Sequence, residues 1–341
     1  MIAPFKKIWL GSLIIIAFML FINQVDAQAF STSQKKDLAI REDSLKSFAH
    51  NIVFAPETEE RFRSDSQFIK MLVRALKVKN SFYYPFDSLQ SISRLYAPDS
   101  TFRIFTWQLK KDEYTYFQRG AIQMHTTDGS LKLIPLHDVS NFSKKLDDSI
   151  RTPNNWIGAI YYRIVMKTSN TGKKIYTLLG FDDYTLTSTR KWMEILSFDN
   201  AGNPVFGGPY ISFREDTIHK PTQVRFNIEY KKEASTTFNY NPEMDMIVFD
   251  DLVSESDQPA QKDTYIPDGD FQGFKWQNGQ WVHVEKVFNF KLKDGEYPKD
   301  NLLLDEKGNL DEQKLIQQSQ KNQLKKDTTK PKPKPVKKDG N

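Results

Sequence analysis

The chain has 341 residues, of which 39% are hydrophobic, 13% aromatic and 27% charged. Those fractions exclude a wholly disordered polymer, and the rings favour a strand-rich interior. There is no cysteine, which excludes disulfides, thiol nucleophiles, Cys-ligated zinc and iron–sulfur clusters. The net charge of +5 is unevenly placed. Residues 321–341 carry eight lysines against two aspartates and residues 1–27 carry two lysines against one aspartate, which leaves 28–320 at −2. A basic pI that belongs to the tail and not to the body argues against nucleic acid as a partner.

At the N-terminus, Lys6 and Lys7 precede an apolar run from Ile8 to Ile22, and small residues follow at Ala27 and Ala29. That order predicts a secretory signal peptide over 1–27. The run is shorter than the ~20 residues of a spanning helix, so the mature chain is expected in the periplasm or outside the cell, with no transmembrane segment. An uncleaved anchor is the alternative.

Residues 28–98 read as a helical region. Leu38, Leu45, Phe48, Ala49 and Ile52 recur at helical spacing. Pro56 with Glu57, Glu59 and Glu60 starts a second helix, whose stripe is Phe62, Ile69, Leu72, Val73 and Leu76. Leu89, Ile92 and Leu95 predict a short third helix over 87–95.

From Thr101 the period changes to two. About a dozen short strands follow between Phe102 and Val287, separated by Gly, Asn, Asp or Pro. The strongest hairpin signal is Asn278-Gly279, flanked by Trp276 and Trp281. With no helical pattern between strands, the expected fold is α+β and mostly β. N-terminal helices pack on a large antiparallel meander over 99–300, as a half-barrel, sandwich or propeller-like sheet. Residues 301–341 read as a polar helix and a disordered Lys/Pro-rich tail. The stretch Lys330-Pro331-Lys332-Pro333-Lys334-Pro335 favours extended polyproline II. It reads either as a tether to an anionic envelope polymer or membrane surface, or as a solvated end.

Three phenylalanines are followed alike: Phe181-Asp182-Asp183, Phe198-Asp199-Asn200 and Phe249-Asp250-Asp251. An aspartate after a buried ring can close a strand by bonding the backbone of its turn. The functional alternative brings Asp182, Asp183, Asp199, Asp250 and Asp251 together as carboxylates for a cation or for acid–base work. His283 and Glu285, two apart, are an acid–base pair or a solvated strand face. Tyr161, Tyr162, Trp192, Tyr210, Tyr230, Trp276 and Trp281 line a groove or fill the sheet core. No Gly-x-Ser-x-Gly, His-Glu-x-x-His, Walker or dinucleotide motif occurs. No cofactor or metal is therefore predicted.

The segments Leu95–Trp107, Tyr176–Asp182, Ile247–Leu252 and Tyr265–Gly269, with the leader, resemble functionally uncharacterised secreted proteins of Bacteroidota-type Gram-negative bacteria. The resemblance implies a location and no mechanism. The expected function is that of an exported non-catalytic envelope protein, a binding or structural module with a basic tether. A secreted hydrolase with a carboxylate site and a hydrophobic-ligand carrier are the alternatives.

Overall fold

The structure, a computed structural model, describes residues 31–112, 115–143, 146 and 149–288. The readings of the leader, of the polar helix and of the Lys/Pro tail lie outside the described residues.

Two helices come first, α1 (Thr32–Phe54) and α2 (Thr58–Leu76). Ser31 caps α1. Its Oγ accepts from Gln34 N at 3.2 Å, while Gln34 Oε1 accepts from Ser31 N at 3.0 Å. The inward stripe of Leu38, Leu45, Ala49 and Ile52 meets Phe68, Leu72, Ala75 and Leu76 of α2. The third helix expected over 87–95 is absent. Tight turns at Phe86–Ile92 mimic the i, i+3 spacing of Leu89 and Ile92. Leu95 instead lies in a strand, β1 (Ser93–Tyr96), drawn in by its ladder with β2 (Phe102–Lys110).

Among the described residues, fourteen strands build three open sheets. The first is a meander of β1, β2, β3 (Tyr116–Met124) and β4 (Lys132–His137). The second contains β5 (Ile160–Thr168), β6 (Lys174–Asp182), β7 (Ser188–Phe198) and β10 (Phe226–Lys231), in the order β10-β7-β6-β5. A short β8 (Pro204–Phe206) also pairs with β7. The third sheet is β11 (Phe238–Asn241), β12 (Met246–Ser254), β13 (Tyr265–Gln277) and β14 (Gln280–Val284), closed off by β9 (Ile211–Ser212). Among the described strands all pairings are antiparallel except β14 with β9. The β13–β14 hairpin turns at Asn278 (φ 49°) and Gly279 (φ 75°), as the Asn-Gly signal requires.

Period-two alternation stacks these pieces. On β2, Phe105, Trp107 and Leu109 face the helices, whereas Phe102 and Ile104 face the second sheet. On β6 and β7, Tyr176, Leu178, Trp192 and Leu196 look back at the first sheet. Leu179, Met193 and Ile195 look on to the third, where Ile247, Phe249, Phe274 and Trp281 meet them. The result is a helical layer followed by three sheets, with one apolar layer between each pair. Each fully buried large side chain contributes about 1.5–3 kcal/mol. Among the described residues no helix is long and apolar enough to cross a membrane.

A fully buried charge, Arg103, is built into the first sheet. It donates to Gln123 Oε1, Tyr96 Oη and the carbonyls of Ser81 and Tyr84. The rings of Phe82, Phe86, Tyr96 and Phe105 surround it. Burial pushes its guanidinium down to about 10. It staples the 81–86 segment to β2.

Candidate functional site

The three Phe-Asp segments have three different environments. Asp199 is exposed and makes an Asx turn, accepting from Ala201 N at 2.9 Å and Asn203 N at 2.8 Å. These bonds lower its carboxyl. Asp182 ends β6 at the seam with the first sheet, and Asp183 follows it. Asp182 is buried and accepts from Gln118 Nε2 at 2.7 Å. Burial, and then the nearby Asp138 charge, push its carboxyl up to about 7. Asp183 pairs with Lys232, which also bonds the carbonyls of Asp183 and Thr185. Both aspartates tie neighbouring elements together.

Asp250 and Asp251 differ, because β12 does not end there. The strand runs on to Ser254, and its ladder with β13 slips between Asp250 and Leu252. A bulge of this kind inserts an extra residue and re-aims side chains that would otherwise point to opposite faces. Both aspartates therefore line one cleft of about 270 Å³. Phe226, Asn227 and Glu229 of β10 form one wall, and Lys262, Tyr265 and Gln272 form the other. Asp250 accepts from Thr237 N, which fixes β11 beside it. Glu229 is held by Arg190 at 2.8 Å and Ser188 at 2.8 Å. The Lys262 ammonium lies 4.0 Å over the Tyr265 ring.

A buried polar relay stands behind Asp251. Its Oδ1 accepts from Gln272 Nε2 at 2.6 Å. Gln272 Oε1 faces His283 Nε2 at 2.9 Å, and His283 Nδ1 lies 2.9 and 3.0 Å from the two carboxylate oxygens of Asp216. Turning the Gln272 amide over would set its oxygen against Asp251. The observed orientation keeps the amide NH2 on the Asp251 carboxylate. Phe213, Phe249 and Phe274 pack around the ring. Glu285 does not join the relay. It accepts from Thr217 N at 3.0 Å and Thr217 Oγ1 at 2.8 Å, so it and His283 both clamp the 216–217 segment. Those bonds lower the Glu285 carboxyl.

The structure thus brings together three of the residues singled out in the sequence, Asp250, Asp251 and His283. It leaves Asp182 and Asp183 at another seam and Asp199 at a turn. Gln272 and Asp216 carry no sequence signal, since each is an ordinary polar residue until the fold joins them. Of the aromatic candidates, Tyr161, Trp192, Tyr230 and Trp281 are buried in the layers, while Tyr162 stays partly open. Among the described residues, no three His, Asp or Glu side chains form a group able to hold a metal ion. The arrangement suits hydrogen bonding to a small polar molecule. Asp251 presents a carboxylate whose direction is already fixed, beside rings and amides.

No protein-family model matches the chain, and neither a curated protein nor a solved structure does.

Proposed function

We propose that the protein is an exported, non-catalytic binding module of the cell envelope, whose ligand site is the cleft at the β12 bulge. The observation that carries this reading is the fixed direction of Asp251, set through Gln272, His283 and Asp216. A carboxylate held in this way loses little freedom when it accepts a donor, which favours binding. Its company of Phe226, Asn227 and Tyr265 suits a ligand with hydroxyl or amine donors on a compact ring, such as an amino sugar. The leader supports export, in line with the resemblance to secreted Bacteroidota-type proteins, and the Lys/Pro tail supports a tether to an anionic polymer or membrane.

Calorimetric titration with glucosamine tests the site. Saturable binding is expected, and Asp251→Asn removes a charge-assisted hydrogen bond of about 1.5–3 kcal/mol, roughly a tenfold to hundredfold loss of affinity. Heat that does not saturate, or equal binding by the variant, would remove the reading. For the tether, deleting 325–341 is expected to release the mature protein from anionic-lipid or cell-wall preparations.

The hydrolase reading keeps one supporting observation: three carboxylates, Glu229, Asp250 and Asp251, share a cleft. It requires release of 4-nitrophenol from glycosides that stops in both Asp250→Asn and Asp251→Asn.

A further inference from the structure

A second cleft, of about 450 Å³, opens between the second and third sheets. It is lined by Tyr162, Phe181, Lys191, Thr237, Phe238 and Asn239. Lys191 is the unexpected member. It sits on β7 at a ladder row between Phe181 and Ile228, on the strand face that carries Met193 and Ile195 into the apolar layer. Among the described residues, its ammonium has one hydrogen-bond acceptor, the carbonyl of Thr236. An ammonium carries three donors. The charge facing it is Asp250, which engages Thr237 N. Burial lowers the lysine, as expected for a cation short of partners. The Thr236 hydroxyl is also buried and has no hydrogen-bond partner among the described residues. Tyr162 shapes the opening by donating to Phe238 O at 2.6 Å.

A half-desolvated cation with donors to spare, at the end of a space walled by three rings, is complementary to an anion on an apolar body. We propose that this cleft is a second binding site, independent of the one at the β12 bulge, which takes an aromatic or acyl monocarboxylate on the Lys191 ammonium. The carboxylate accepts from Lys191, and the body lies among Tyr162, Phe181 and Phe238.

Benzoate and octanoate are the probes, titrated into the full chain and followed by calorimetry. At least one binds saturably, and which one does identifies the body as aryl or acyl. Lys191→Gln weakens binding tenfold or more, whereas Lys191→Arg stays within about threefold of the native chain. The neutral amide of the binding acid, benzamide or octanamide, binds the native chain at least tenfold more weakly, a comparison that needs no variant to fold. Asp251→Asn leaves the affinity unchanged, so failure at the other cleft is told apart from failure here. Absence of binding by both acids, equal binding by Lys191→Gln, or an amide as good as its acid would each overturn the proposal.

Discussion

The layer between the first and second sheets and the layer between the second and third both contain charges, and they use them differently. In the first of these layers the buried charges described are held by a partner charge or amide. Glu194 meets Arg225 at 2.8 Å with both side chains buried, and Arg225 also bonds the carbonyls of Leu146 and Ser149. Burial pushes the Glu194 carboxyl up and the Arg225 charge pulls it back. Asp182 is held by Gln118. In the second layer Asp251 faces a cleft at the β12 bulge, and Lys191 faces a second cleft beside Tyr162, where the β5–β6 ladder slips; both have bonding capacity left over. The same residue types thus act as fasteners where a partner charge or amide holds them, and as receptors where they face a cleft.

The contrast can be broken from the closed side first. Arg225→Met leaves Glu194 buried without its cation and is expected to cost about 3–5 kcal/mol in urea unfolding. Replacing both, Glu194→Leu with Arg225→Met, recovers most of that loss. A single variant within about 1 kcal/mol of the native chain would show that the seam is not locked by charge.

Asp182 gives the next largest effect, with a definite sign. Its carboxyl holds a proton up to about 7 in the folded protein, against about 3.9 in an unfolded chain. A raised folded value stabilises most at acid pH, and that contribution fades as pH climbs from about 4 to about 7. Asp182→Asn keeps the shape without the charge. It is expected to exceed the native chain by about 2–4 kcal/mol at pH 8, with the gap closing towards pH 4. A gap independent of pH would contradict the assignment.

The smallest test concerns how the third sheet is anchored. Gly279 has φ 75°, and a Cβ there would lie 2.8 Å from Asn170, whose side chain bonds Asn278 O. Gly172 has φ 78° and open space around it. Gly279→Ala should cost more than Gly172→Ala, which carries the backbone strain alone, about 1–2 kcal/mol. Equal losses in thermal unfolding would show that the Asn170 contact adds nothing.

The fold was largely legible because it rests on local patterns. Leu38 to Ile52 announce α1, alternation announces the strands, and Asn278-Gly279 announces the hairpin. The error over 87–95 arose because successive tight turns repeat the spacing of a helix, and only pairing with Phe102–Lys110 decides between them. Stacking of the sheets was not legible, since Phe102-Arg103-Ile104-Phe105 shows two buried faces without saying what covers each. The site was legible in part. Asp250, Asp251 and His283 stood out as residue types, but no sequence rule places a bulge at Asp251 or joins Gln272 to His283 across strands. Lys191 did leave a trace, as a charge that alternates in step with Met193 and Ile195 on one face of β7.

The claim that the open layer receives a ligand at Asp251 is most directly tested by following backbone amide resonances while glucosamine is added to the native chain and to Asp251→Asn. Saturable shifts confined to Asn227, Tyr265, Gln272 and their neighbours, with at least tenfold weaker binding by the variant, are the expected result. Shifts scattered over the surface, or titrations that coincide for the two proteins, would contradict it.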